Sequence, residues 1–277
     1  MDQISIALKE FGFGTQIYAR EDAYGLEIEN IISIYVESGI PIIAAIENDL
    51  VGHAILLVGH ENDDLVDLKK APRRDIDYDG ILRKYVDYGD LQKRFIVNDD
   101  NLTPYTSTTL GDPAEHYLNK DDGFLGCTIT SIVVPLHKKI YLEALEAKQL
   151  TLEILSDRDF GYEFKQEFVM RFFLTSSRSF KFHIACMEGF SKDLKDKIIG
   201  CKMPKFIWCG EFYSEGNFKK NVANALIIID ATEADDVWID SLLFAGYPDR
   251  CYAKFEKGLV NLPSKFKGYS KFISNLH

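Results

Sequence analysis

The chain has 277 residues, 46% of them hydrophobic, and a formal net charge of −11. That length suits one large domain or two ordinary ones with real cores, and the acidic balance argues against a broad nucleic-acid footprint. No window approaches the ~18 uninterrupted apolar residues of a membrane span, and Met1-Asp2-Gln3-Ile4 lacks the basic and apolar regions of a secretory signal.

Residues 3–11 read as a helix, because Ile4, Ala7, Leu8 and Phe11 fall on one face and Gly12 and Gly14 follow. A second helix is predicted over about 21–37, closed by Ser38-Gly39 and barred from continuing by Pro41. Ile42–Ile46 and His53–Val58 read as a hairpin across the polar joint 47–52. Residues 61–93 form an acidic, Tyr-rich insertion with a short helix predicted over Tyr78–Tyr88. A strand over Phe95–Val97, a long loop over 100–124 and a strand over Cys127–Val134, ended by Pro135, follow. Lys138–Leu155 has a helical pattern that would link two subdomains. Beyond it, strands are predicted over Val169–Thr175 and Lys181–Cys186 around a polar turn, a helix over Lys192–Ile199, and strands over Phe206–Tyr213 and Ala225–Asp230. Strands and helices without clean βαβ alternation point to an α+β fold, with one lobe over 1–137 and a second α+β lobe over 138–277.

Five cysteines, at 127, 186, 201, 209 and 251, make no CxxC pair. Without a signal segment they read as reduced, mostly buried thiols of a cytoplasmic protein. Zinc-ligand spacing is absent, and neither metal nor other cofactor is expected. The Lys-rich tail from Arg250 reads as a solvated face or as a phosphate- or partner-binding patch.

Two groups in the first half have the chemistry of a catalytic base and its orienter. His53 stands where a turn becomes a strand, and imidazole titrates in the range that suits proton transfer. Asn98, Asp99 and Asp100 close another strand. If Phe95 and Val97 share a face, Asp99 shares it too and Asn98 takes the other. One carboxylate or amide at this strand end would accept from the His53 Nδ1–H, fix the tautomer and stabilise an imidazolium. Each group also has a plainer reading: a capped strand-end histidine, and an Asx turn opening the loop. His60, seven residues after His53, falls on the opposite face of a regular strand.

Ser38-Gly39-Ile40-Pro41-Ile42-Ile43, then Gly52-His53-Ala54-Ile55-Leu56-Leu57-Val58-Gly59-His60, then Val97-Asn98-Asp99-Asp100 resemble, in that order, the motifs of the papain-like cysteine peptidase superfamily. The likeness is to its bacterial, bacteriocin-processing (double-glycine peptidase-like) branch and covers roughly residues 3–135. The resemblance implies a papain-like lobe, amide or peptide hydrolysis, His53 as base and Asp99 as orienter, with Asn98 as second choice. It also implies a nucleophilic cysteine at the N-terminus of the first helix, where the helix dipole favours thiolate. With Gly12 set against the end of that family segment, the cysteine falls about two positions before Met1. The expectation is therefore a truncated or catalytically silent peptidase-like chain with a peptide or protein partner, and no nucleic acid or membrane. The alternative is a non-catalytic binding or regulatory module. Cys127, before a strand rather than at a helix start, reads as a core thiol.

The second half resembles no family. Ser176, Ser177 and Arg178, with Glu211, form a candidate anion or ligand site, read otherwise as a polar turn with a basic edge. Glu211 and Asp230 are a candidate carboxylate pair, read otherwise as solvated strand ends. Any remaining activity would lie in that lobe.

Overall fold

The computed structural model describes residues 1–22, 28–61, 67–117, 123–188, 191–232, 238–256, 258–263 and 265–273. The fold is α+β, and it divides into two compact units: Met1–Val66 with Gly89–Lys139, and Asp67–Tyr88 with Ile140–His277. Among the described residues, no helix is long and apolar enough to cross a membrane.

The first unit contains α1 (Asp2–Glu10), β1 (Phe13–Ala19), α2 (Ile28–Glu37), β2 (Ile42–Glu47) and β3 (Gly52–His60). The chain then enters the second unit as β4 (Arg74–Tyr78) and β5 (Ile81–Asp87) before returning as β6 (Phe95–Asn98), β7 (Thr106–Thr108) and β8 (Thr128–His137). Six strands pair antiparallel in the order β1-β8-β2-β3-β6-β7. The predicted hairpin is β2–β3, and its turn is held by Asn48, whose Oδ1 accepts the N–H groups of Leu50 and Val51.

The helix predicted over 21–37 is α2. Glu21 and Asp22 instead belong to the turn that follows β1, and residues 23–27 lie outside the described residues. Ile28, Ile31, Ile32 and Tyr35 are fully buried, and α2 packs on β2, β3 and β8. Gly39, at φ +72°, takes the left-handed conformation that ends such a helix. α1 forms as predicted, but its expected apolar face is not buried. Ser5 is its one buried residue, Ile6 and Phe11 are exposed, and it lies on β1 and β8. Pro135 does not end the last strand. The pairing of β2 with β8 stops at Ile43↔Val133 while β1 continues to Phe13↔His137. Pro135 therefore has one neighbouring strand, and its missing N–H breaks no ladder on the other side.

In the second unit, the insertion is a hairpin rather than a helix. Asp79 and Gly80 both have positive φ, 53° and 87°, the geometry of a tight Asp-Gly turn. The remaining elements are α3 (Ala144–Ser156), β9 (Phe168–Ser176), α4 (Ser177–Cys186), α5 (Lys192–Gly200), β10 (Phe206–Ser214), α6 (Glu215–Phe218), β11 (Val222–Ala223), β12 (Ala225–Asp230), α7 (Trp238–Ser241), β13 (Leu242–Gly246), β14 (Cys251–Phe255), β15 (Gly258–Leu262) and β16 (Tyr269–Ser270). Eight strands run in the order β15-β14-β13-β12-β10-β9-β5-β4. Every pair is antiparallel except β5–β9. The sequence reading assigns no element beyond Asp230, where α7 and β13–β16 form.

β9, β10 and β12 are buried on both faces. On one face the Trp208 indole donates to the Leu142 carbonyl ahead of α3. On the other, Phe272 stacks on Phe173 at 5.3 Å. The strand predicted over Lys181–Cys186 is instead helix α4. Ser176 caps it by accepting the Ser179 N–H at 3.1 Å, and Phe180 and Ile184, four apart, are its buried stripe. The same helix leaves Cys186 exposed at its end, whereas the other four thiols are buried.

Candidate functional site

The site forms where β3 and β6 run out at one end of the first sheet. Leu57 sits opposite Val97 and Leu56 opposite Asn98. Continuing the alternation brings Ile55 level with Asp99, with His53 as its diagonal neighbour on the same face. Ile55, Leu57, Phe95 and Val97 on that face are buried. His53 and Asp99 thus stand where the apolar row meets solvent, with their side chains 18% and 0% exposed.

His53 Nε2 lies 2.9 Å from Asp99 Oδ1. The ring therefore uses Nε2 for this contact, not the Nδ1 expected from the sequence. Nδ1 has no hydrogen-bond partner among the described residues. Asp99 Oδ1 also accepts the Asn101 N–H at 2.9 Å, so the Asx turn and the histidine contact coexist on one oxygen. Asp99 Oδ2 accepts from His116 Nε2 at 3.0 Å and from the Tyr117 hydroxyl at 2.7 Å. Burial alone would raise the Asp99 pKa. The donors His116, Asn101, Tyr117 and His53 outweigh it and hold the acid down at about 2. Burial and the neighbouring Asp99 push the Tyr117 hydroxyl up to about 12, against a lowering contact from Asn101.

Asn98 does not join this group. It faces the other way, and its Oδ1 accepts the Tyr105 N–H at 3.0 Å. His116 and Tyr117 are the members that sequence reading misses. They lie in the loop predicted over 100–124, and no periodicity brings a loop residue to a strand end.

One wall of the site is aromatic. Phe124 meets the His53 ring edge-on at 5.7 Å and stacks on Tyr117 at 4.2 Å. Asn48 fixes this loop to the β2–β3 turn by donating to the carbonyls of Gly123 and Leu125. Leu50 and Leu125, one on each of these segments, are exposed.

α2 covers the same sheet face. Its last residue, Glu37, accepts from His60 Nε2 at 2.6 Å at the far end of β3. Its first turn is tied by Glu29 to Arg20, which also donates to the Ile129 carbonyl. Ile129 and His53 both flank Ile46. The N-terminal turn of α2 therefore lies at the His53 end of the sheet. The register shift between Leu57 and Gly59 places His60 opposite Phe95, on the His53 face and not on the opposite one.

One imidazole nitrogen and two carboxylate oxygens, from His53, Asp99 and Asp100, converge within 4.8 Å of one another. Each oxygen of Asp99 already accepts two hydrogen bonds, so a cation there would have to displace donors. The arrangement is that of a hydrogen-bonded pair. Cys127 is buried, and burial raises its thiol pKa, the reverse of what a nucleophile needs.

In the second unit, Ser176, Ser177 and Arg178 cap and open α4, while Glu211 is fully buried in β10. Ser176 pairs with Phe206 and Arg171 with Glu211. Five residue steps separate the two pairs along the strand, roughly 17 Å, so these residues make no common site. Asp230 pairs with Ile207 and Leu226 with Glu211, so the two acids are not a pair. Asp230 instead accepts from the Thr232 N–H and hydroxyl. Compared with family models, curated proteins and solved structures, the chain matches none of them.

Proposed function

We propose that the first unit is a papain-like, cysteine-peptidase-type lobe that holds a peptide or another amide-bearing ligand beside His53 without cleaving it. The observation that carries this reading is the His53–Asp99 contact at 2.9 Å. The ring is oriented from behind through Nε2, and Nδ1 is left for a ligand. A base behind which an ionised carboxylate is fixed suits proton transfer to or from an acyl-transfer centre. In an active relative, a thiolate would attack the carbonyl carbon and the imidazolium would protonate the leaving amine.

The helix that lies on the His53 face is α2, and its first turn, Ile28-Glu29-Asn30-Ile31, has no cysteine, serine or threonine. That supports binding over cleavage. The exposed Leu50 and Leu125 and the ring of Phe124 offer apolar contact to a peptide side chain.

A degenerate hexapeptide pool incubated with the whole chain tests this. Mass spectrometry reads cleavage, and calorimetry reads binding to the wild type and to His53→Ala. Binding that His53→Ala removes, with no cleavage, is the expected result. Cleavage that depends on His53 would overturn the non-catalytic half of the reading, and no binding at all would overturn both halves.

A further inference from the structure

We propose that His116 and Tyr117 are positioning residues for the His53–Asp99 pair: they lock the carboxylate so that His53 keeps its proton on Nε2 and presents a bare Nδ1. This rests on the reading of the site given above.

An ionised carboxylate offers about four acceptor positions. At Asp99 all four are used, two on each oxygen. The Asn101 N–H comes with the turn, and His53 is the group being oriented. His116 and Tyr117 are the two donors that hold Oδ2. The carboxylate cannot rotate to exchange its oxygens without breaking both of these bonds.

Both donors are themselves committed. The His116 side chain is 2% exposed, and its Nδ1 is buried without a partner among the described residues. A bare ring nitrogen is tolerated there better than a buried, unpaired N–H, so the His116 proton belongs on Nε2, towards Asp99. The Tyr117 hydroxyl accepts from Asn101 Nδ2 at 3.1 Å, which leaves its own proton for Asp99. Its ring stacks on Phe124, the wall of the site. The two residues thus tie the aromatic wall, the carboxylate and the His53 tautomer into one unit.

The test is a pH titration by NMR of the whole chain, reading the Asp99 carboxyl carbon and the His53 ring nitrogens. Wild type is compared with Tyr117→Phe, His116→Phe, His116→Gln and, as a control at the far end of β3, His60→Gln. Asp99 should titrate at about 2 in the wild type. Its midpoint should rise by about one pH unit in Tyr117→Phe and by at least as much in His116→Phe. His53 should gain a protonated Nδ1 tautomer in both, and His116→Gln, which keeps a donor, should restore the wild-type pattern. His60→Gln should change neither reading. An unchanged Asp99 midpoint and an unchanged His53 tautomer in Tyr117→Phe would overturn the proposal, even if His116→Phe fails to fold. The titration uses no ligand, so failure of the positioning role and failure of peptide binding are read separately.

Discussion

Asp99 in the first unit and Glu211 in the second are both carboxylates with four donors, yet they do different things. Glu211 accepts from Arg171 Nη1 at 2.7 Å, from the hydroxyls of Tyr213 and Tyr269, and from the Phe272 N–H at 3.1 Å. Glu211 and Arg171 are 0% and 3% exposed, and burial lifts both tyrosine hydroxyls well above their ordinary pKa. Its donors belong to the sheet and to the C-terminal segment that closes over it. At Asp99 one donor, His53, has a second ring nitrogen without a partner among the described residues. A saturated carboxylate is therefore not a site by itself. It becomes one when a donor it orients has chemistry left to offer.

The largest expected effect falls on the closed network. Glu211→Leu leaves Arg171 buried without its counter-charge and should cost about 3–5 kcal/mol, read by urea unfolding. A loss under about 1 kcal/mol would show that the network is not the lock described. Asp99→Ala should cost less, about 2–3 kcal/mol, because it strands the buried His116 donor while His53 and Asn101 can turn to water. If the two losses are equal, the contrast between a closed and an open network fails.

A smaller effect is expected from pH. The folded-state pKa of Asp99 is depressed, to about 2 from 3.8. Its contribution is thus complete above about pH 4 and lost as pH falls through 2. After discounting for nearby solvent it amounts to about 1–2 kcal/mol. Acid unfolding of wild type against Asp99→Asn measures it, and parallel curves through this window would contradict it. The smallest effect on stability is expected from His53→Ala, about 0.5–1.5 kcal/mol for one lost hydrogen bond to Asp99, together with loss of peptide binding. A large destabilisation would mark His53 as a structural residue like those around Glu211.

The sequence makes one half of the site legible. Alternation along Phe95–Asp99 places Asp99 on the buried face, and the hairpin brings His53 to the sheet edge. It does not show which ring nitrogen turns inward, because that depends on where the sheet ends. It does not reveal His116 or Tyr117, because loop residues have no period to read. The Asp79-Gly80 turn is a missed local signal, since Asp-Gly after the alternation of Ile76 and Tyr78 with charged residues marks a hairpin. α4 is missed for a different reason. Its aromatic and apolar residues suit a strand as well as a helix, and only the Ser176 cap decides between them. α1 shows the opposite limit: its helical period is correct, but periodicity does not say whether the sheet supplies a surface to bury it.

The ring nitrogens of His53, followed by NMR as a degenerate hexapeptide pool is added to the whole chain, decide whether peptide is held at Nδ1. Nδ1 should shift in a saturable way while Nε2 remains protonated and bonded to Asp99. A spectrum in which the peptides leave Nδ1 unmoved, or one in which Nδ1 carries the proton before any peptide is added, would contradict this.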